Sequence, residues 1–545
     1  MVAEKLIRKE PKEFSIEDNV IVGHPRKSTD SRGVARILWE SFSEAPDFVA
    51  QTNADTGENT TFAELKDRSA RCALWLREQG IGKDDVISIS TPNQTDDLVP
   101  YIATLFVGAI VNPWYHDLTE ANARRFFQTY QPKVMFACEQ SIDQLARIAN
   151  SEGMSCSFVV YGKHAEYPSL RDLLAERSQE EVASFEYAEP VDPWTQCGII
   201  LFSSGTTGTP KGAMLSYKAI GSFDMLDDSM SLQQQNYLWY SSLSWVTGAF
   251  LLLNCIVMRT TRIIHGEFDP DKSSRVIEKY KVKRVLWTPS VLIQCCKAKV
   301  FARYDYSSLE ILCTGGSKLG ETILEEAQRA LPHCFVKNGY GMTELSGLAV
   351  LQTHDRKKID AIGYAIRGVK LKIIDSDTGR TLGPNQQGEI CVHKPTAFLG
   401  YYNNPEETAK TLDKEGWVHT GDLGYYDEDG EIMLTDRIKV LIITKNYHVA
   451  PSEIEDILLR HPGVKDCAVI PVPHDVDIER PFAFVVKQPG ATVTTEELIE
   501  MPAAIDEYYR LTGGIAFVDH LVYTSTGKKS FQVLKEKAKE YLVGR

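Results

Sequence analysis

Glycine, hydroxyl side chains and a lysine crowded into one short loop are the makings of a phosphate site, and residues 202–215, FSSGTTGTPKGAML, contain all three. Gly205, Gly208 and Gly212 allow close backbone approach, Ser203, Ser204, Thr206, Thr207 and Thr209 offer hydroxyl donors, and Lys211 adds charge. The continuous apolar run CGIILF before it reads as a short buried strand. In the loop G-x-x-x-x-G-K-[ST] the lysine follows the last glycine and a helix opens at once. Here Thr209 and Pro210 intervene, and no helix start comes before Ser216. The segment therefore reads as a flexible flap over a triphosphate, with an ordinary glycine-rich surface loop as the plain alternative.

Four further stretches offer compatible chemistry. KNGYGMTELSG, residues 337–347, reads as a strand, a glycine-rich turn and then polar residues. In it Asn338 and Gly339 precede Tyr340, and Gly341 follows, so that the aromatic ring has room to lie against a planar base. Thr343 and Glu344 come next, and a carboxylate beside a triphosphate calls for a divalent cation between them; magnesium suits hard oxygen ligands. Alone, Glu344 is equally a solvated loop charge. CTGGSKLG, residues 313–320, places Gly315 and Gly316 after another strand, where a base or substrate edge could pass or a plain turn could lie.

The span from Gly416 to Ile442 carries Asp429-Gly430, a two-residue hairpin signal. With that turn Glu428 faces Glu431 and Asp422 faces Arg437, a carboxylate and a guanidinium able to take two ribose hydroxyls. A cross-strand ion pair is the structural alternative, and a longer DEDG loop would shift the register. Near the end, TSTGKKSF puts Lys528 and Lys529 on a polar turn before a helix capped by Ser530.

The elements that must hold these turns follow from the rest of the chain. Its 545 residues, 43% hydrophobic and 10% aromatic, suffice for several domains with a large core. The longest apolar stretch, from Leu98 to Val111, is interrupted by Pro100 and Gly108 and is shorter than the roughly 20 residues of a membrane span, so a buried core helix is expected. The N-terminal residues MVAEKLIRKEPKEF contain no apolar signal region. Eleven cysteines without C-x-x-C spacing imply reduced, mostly buried thiols, and a net charge of -14 weighs against nucleic acid as a partner. Alternating apolar runs and helical patterns such as TTFAELKDRSARCALWLREQG indicate α/β subdomains up to about residue 436. Beyond it VLIIT, CAVIPV, FAFVV and GIAFV read as strands, with helices from Ser452, from the capping box Thr494-x-x-Glu497 and from Ser530.

Together these segments resemble the adenylate-forming superfamily, in particular acyl-CoA synthetases of the 4-coumarate-CoA ligase and firefly luciferase type. The likeness runs through nearly the whole chain and includes GYAIRGVKLKIIDSDTGRTLGPNQQGEICV and FLGYYNNPEETAKTLDKEGW. It implies an α/β fold: a large N-terminal domain of α/β subdomains, residues 1–436, and a smaller α+β C-terminal lid domain, residues 437–545. A short hinge near 437–440 would join them, with Lys439 just past Arg437. By this resemblance SSGTTGTPKG binds phosphate, Tyr340 stacks on adenine, Glu344 is linked to magnesium, and Asp422 with Arg437 holds ribose. Lys528 is then the adenylation lysine, with Lys211, Thr343 and Glu344 as further catalytic candidates, whereas Lys529 has no such role.

The implied reaction uses ATP, Mg2+ and coenzyme A: a hydrophobic carboxylic acid, fatty or aryl, is adenylated and passed to the thiol. Three departures stand out. Trp245 lies in SSLSWVTGAF where luciferases carry a histidine pair, Asn446 stands where relatives have glycine, and Ile443 where the luciferase and coumarate branches have lysine. Trp245 is expected to wall the acyl pocket or to serve the core, and Asn446 to crowd the pantetheine path. A luciferase acting on an adenylated luciferin and a catalytically silent nucleotide binder are the rival expectations; light emission and acid-dependent pyrophosphate exchange discriminate them. The ending Val-Gly-Arg, without Ser-Lys-Leu, points to the cytoplasm rather than the peroxisome.

Overall fold

The computed structural model describes residues 14–25, 32–203, 210–222, 235–354, 356–444, 447–474, 476–503, 506–524 and 528–543. Helix Phe62–Glu78 shows how local chemistry sets an element. Thr61 and Glu64 close a capping box at its start, and Phe62, Leu65, Ala73 and Leu76 form its buried face. With helices Val34–Glu44, Leu98–Phe106 and Val246–Val257 it fills the main core, which draws apolar side chains from three sheets.

One sheet runs Gly400–Tyr401, Lys211–Ser216, Cys197–Ser203, Ile110–Trp114, Val86–Ser90, Val134–Ala137, Ser157–Val160. It is parallel from Cys197–Ser203 onward. A second runs Tyr364–Ala365, Gly347–Leu351, Phe335–Met342, Ile311–Gly315, Arg284–Trp287, Asn236–Trp239, Thr261–Ile264, Val49–Asn53, Asn59–Thr61, with a parallel centre. The third is antiparallel: Phe14–Glu17, Val20–Gly23, Lys370–Ile374, Gly388–His393, Trp417–Tyr426, Ile432–Arg437. Arg262 and Asp97 make a bidentate pair of 2.8 and 2.9 Å inside the core, tying the second sheet to helix Leu98–Phe106.

The long apolar stretch is not one helix, as expected, but two elements. Helix Leu98–Phe106, buried at every position, gives way at Gly108 (φ +76°) to the buried strand Ile110–Trp114. Among the described residues no helix is long and apolar enough to cross a membrane. All eleven cysteines are free thiols, most of them buried, in line with the sequence.

After Arg437 the chain leaves the third sheet, makes the turn Ile438–Val440 and enters a smaller C-terminal unit. Its sheet runs Tyr447–Val449, Ile442–Thr444, Ile478–Lys487, Val464–His474, with Gly514–Phe517 parallel to Ile478–Lys487. Helices Pro451–Leu459, Thr495–Ala503 and Phe531–Val543 cover it, and Thr494 and Glu497 do form a capping box. The fold is thus mixed α/β, with a large N-terminal and a small C-terminal domain. The two meet: Leu312, Leu324 and Val336 share an apolar cluster with Ile454, Leu458 and Ile515. Lys297 Nζ donates to Leu459 O at 2.9 Å, and Arg460 Nε donates to Thr322 Oγ1 at 3.0 Å.

Candidate active site

The site is built around a hairpin with two compensating irregularities. Strands Trp417–Tyr426 and Ile432–Arg437 bring Asp422 opposite Arg437, with Arg437 Nε 2.8 Å from Asp422 Oδ1. The turn differs from the two-residue form expected. Asp427 N–H donates to Glu431 O and Gly430 N–H to Asp427 O, so Glu428, Asp429 and Gly430 form a three-residue loop. Asp427 Oδ1 favours it by accepting from Asp429 and Glu431 N–H, both at 3.0 Å. The longer loop shifts the register, leaving Gly424 opposite Leu434. Thr435 then bulges out, which restores Leu423 to Asp436 and Asp422 to Arg437.

On its other edge the same strand bulges again. Cys391 faces His419 and Glu389 faces Leu423, so Thr420, Gly421 and Asp422 stand across from Ile390 alone. Thr420 Oγ1 donates to Ile390 O at 2.7 Å, Gly421 N–H to Glu389 Oε1 at 3.0 Å and Asp422 N–H to Thr420 Oγ1 at 3.1 Å. These bonds fix a carboxylate that is almost fully buried. Burial pushes the Asp422 carboxyl up, opposed by Arg437 and by the Tyr340 hydroxyl, which donates to Oδ2 at 2.7 Å. Asp422 in turn holds the Arg437 guanidinium firmly charged.

Tyr340 lies on a strand rather than in the expected turn. Strand Phe335–Met342 pairs in parallel with Ile311–Gly315 as far as Gly339, then antiparallel with Gly347–Leu351 across a register shift at Tyr340 and Gly341. Side-chain bulk at Gly341 would strike Gly347 O, so the missing Cβ is what lets the strand continue. Asn338 is buried, its N–H donating to Gln352 Oε1 at 2.7 Å. Gly315 sits directly against Gly339, and Gly316 follows at φ +95°.

The reversal comes later, at the single turn Thr343–Leu345. It buries Glu344, whose Oε1 accepts from the Tyr401 hydroxyl at 2.6 Å. The second Glu344 oxygen receives no hydrogen bond among the described residues. One hard oxygen donor close to bound phosphate fits magnesium, which takes few protein ligands.

Ser203 and Lys211 face each other at the ends of paired antiparallel strands, so the phosphate segment joins a hairpin and leads into no helix until Tyr217. Ser204, Gly205, Thr206, Thr207, Gly208 and Asn446 lie outside the described residues. Lys211 Nζ is paired with Glu407 and lies 5.2 Å from the Tyr401 ring centre. Tyr401 and Glu407 belong to FLGYYNNPEETAK, from which no chemistry was legible; two aromatic residues in tandem before an acidic helix start were the only signal.

Lys528 closes the site from the C-terminal domain. Its N–H donates to Thr524 Oγ1 and its carbonyl accepts from Thr524 N–H, so the turn is closed on itself. Burial, then the nearby Arg437, lowers the Lys528 ammonium, while Asp422 and Glu344 draw it back up. Lys529 points elsewhere, 2.5 Å from Glu455 Oε2. Burial opposes its charge, but Glu455 with Cys467 and Asp466 outweighs burial and holds it up, so it is not the solvated lysine that a polar turn suggests. Lys439 is exposed in the connecting turn. Trp245 stands at the N-cap of helix Val246–Val257 and packs against the apolar cluster that contains Phe202; its indole Nε1 is buried without a partner among the described residues.

The structure therefore brings Tyr340, Glu344, Asp422, Arg437 and Lys528 together from three segments far apart in sequence. Two half-buried cations, Arg437 and Lys528, beside the buried Glu344 carboxylate suit an anionic ligand that brings a hard cation. Comparison with known proteins gives the same direction. The AMP-binding enzyme model matches residues 38–402 and the AMP-binding enzyme C-terminal domain model residues 453–528. Luciferin 4-monooxygenase of Nipponoluciola cruciata is 30% identical over 535 residues, covering 95% of this chain and 97% of its own. 4-coumarate--CoA ligase CCL1 of Humulus lupulus is 30% identical over 517 residues, 92% of each chain. The ATP-bound structure of MatB from Rhodopseudomonas palustris superposes with a TM-score of 0.83 at 27% identity, covering 93% of this chain and 99% of its own. With one family model spanning more than half its length, the chain belongs to the AMP-binding family of adenylate-forming enzymes.

Proposed function

We propose that this enzyme joins a hydrophobic carboxylic acid to coenzyme A through an acyl-adenylate, consuming ATP and releasing AMP and pyrophosphate. The observation that carries the proposal is the convergence of the half-buried Lys528 on Arg437, Asp422 and Glu344. In the first step an oxygen of the acid bonds to the α-phosphorus and the bond to pyrophosphate breaks. In the second, the thiol sulfur bonds to the acyl carbon, the acyl–oxygen bond to AMP breaks, and the thiol proton passes to solvent.

The residues divide the work. Asp422 and Arg437 take the ribose hydroxyls, Tyr340 lies against the base, and the loop from Ser203 to Lys211 holds the outer phosphates. Lys528 donates to the oxygens that gain charge as acid and α-phosphate meet; a preorganised donor of this kind contributes about 3 to 4 kcal/mol. Magnesium, when bound through Glu344, supplies charge neutralisation at the phosphates. Tyr401 orients Glu344 through its 2.6 Å hydrogen bond. Rotation of the C-terminal domain about residues 437–440 would withdraw Lys528 before the thiol enters. Trp245 and the apolar helix behind it would face the acyl group.

Acid-dependent exchange of pyrophosphate into ATP tests the first step, and acyl-CoA release the second. The panel is medium-chain, long-chain and hydroxycinnamic acids. Absence of exchange with every acid, in protein shown to bind ATP, would remove the proposal. The likeness to luciferin 4-monooxygenase favours a light-emitting oxidation as the second activity; luminometry with ATP, magnesium and luciferins separates the two.

A further inference from the structure

Alternation along two neighbouring strands places a second chemical cluster behind the bulge that carries Asp422. Ile390, Val392 and Val418 point into the main core, which leaves Glu389, Cys391 and His419 together on the opposite face. His419 Nδ1 lies 3.1 Å from Glu389 Oε2 and 3.6 Å from Cys391 Sγ. No two of the three donor atoms are more than 4.8 Å apart. Zinc bonds of about 2.3 Å to sulfur and about 2.0 to 2.2 Å to nitrogen or oxygen give tetrahedral edges of roughly 3.5 Å from N to S and roughly 3.3 Å from N to O. The two measured separations fall close to those edges.

The imidazole is oriented from its far side as well. Nε2 lies 3.6 Å from Asp413 Oδ2. Asp413 is itself fixed, its Oδ1 accepting from Glu415 N–H at 2.8 Å and Trp417 N–H at 2.9 Å. At 3.6 Å this contact is electrostatic rather than a hydrogen bond, and it leaves Nδ1 as the ring nitrogen that faces Glu389 and Cys391. Lys372 pairs with Cys391 across the sheet but sets its ammonium over the Trp417 ring, 4.2 Å from the centre.

We propose that Glu389, Cys391 and His419 form a site for a borderline-soft divalent cation, zinc above all, with water as fourth ligand. It is separate from the magnesium-linked carboxylate Glu344. Thiolate with imidazole favours zinc, whereas magnesium takes oxygen. On binding, the Cys391 thiol gives its proton to solvent and the sulfur takes the metal. The ion would reach the nucleotide site through one side chain: Glu389 Oε1 accepts from Gly421 N–H while Oε2 faces the metal position. Occupancy therefore braces the bulge that presents Asp422.

The test uses the full-length protein, stripped with a chelator and titrated with Co2+ as a coloured zinc surrogate. The expected result is a thiolate-to-cobalt charge-transfer band that saturates at one equivalent and is bleached by zinc. Zinc-edge absorption on the unmutated protein should show one sulfur at about 2.3 Å with lighter ligands at about 2.0 Å. C391S should lose the band, and H419Q should bind zinc at least tenfold more weakly. A band that persists in C391S, a zinc shell without sulfur, or no cobalt bound at one equivalent overturns the proposal. The sulfur shell needs no variant, so poor folding of C391S does not rescue it.

Discussion

Lys211 is committed to an internal partner in this structure, and that commitment can be measured. Its ammonium pairs with Glu407, the side chains being 16% and 28% exposed, and Glu407 also takes Lys410 at 2.9 Å. The hydrogen bond from Lys211, then that from Lys410, holds the Glu407 carboxyl at about 2, so it is ionised throughout the working range of pH. Gripping a phosphate requires the ammonium to leave this carboxylate. Exposed pairs contribute about 0 to 1 kcal/mol, and removing one partner of a fully buried pair costs about 3 to 5 kcal/mol. A pair of intermediate exposure, still solvated through Lys410, is expected near the lower range, at about 1 kcal/mol.

Glu407→Gln keeps the shape and removes the competing charge, so MgATP should bind about fivefold more tightly. Isothermal titration of E407Q, K211Q and the double variant forms a closed cycle. The gain should appear only where Lys211 is present and should shrink as salt is raised. Weaker binding by E407Q, or an equal change in the K211Q background, would falsify the competition and make Glu407 a support for Lys211 instead.

K528A should slow pyrophosphate exchange by about two to three orders of magnitude while leaving thioester formation from added acyl-adenylate near normal. Burial and then Arg437 depress the Lys528 ammonium below the ordinary lysine range. Adenylation needs the charged form, so its rate should fall as pH rises through a value below the ordinary lysine range, and K528R should move that limb upward. Y401F removes one buried hydrogen bond to Glu344 and should weaken magnesium dependence more than ATP affinity, read as a rise in the half-saturating Mg2+. D97N strands the buried Arg262 guanidinium, so the first unfolding transition in urea should lose about 3 to 5 kcal/mol, while the nucleotide contacts stay intact.

Much of the candidate site's arrangement could be read before any coordinates, though not always for the right reason. Asp422 does face Arg437, yet the two-residue turn used to deduce it is absent; a longer loop and the Thr435 bulge shift the register in opposite senses and cancel. Bulges depend on which carbonyls a neighbouring strand offers, and a single strand's sequence does not display them. A capping box and a buried strand were legible because they are local: Thr494 with Glu497, and the run at Cys197. Tyr401 and Glu407 were not, since their meaning comes from Glu344 and Lys211, far away in sequence. Tyr340 was read as a turn residue because glycines flank it, whereas the glycines serve a strand that changes partners midway.

The neighbouring lysines at 528 and 529 have opposite allegiances: one faces Arg437, Asp422 and Glu344 of the larger domain, the other is moored to Glu455 within its own. The mooring gives this end of the small domain a defined phase; were that domain to rotate in the proposed way, Lys528 would leave without loosening its base. A single residue deleted between Thr524 and Lys528 would bring Lys529 to the place that Lys528 holds. The length of that short arc therefore decides which amine faces Asp422 and Arg437.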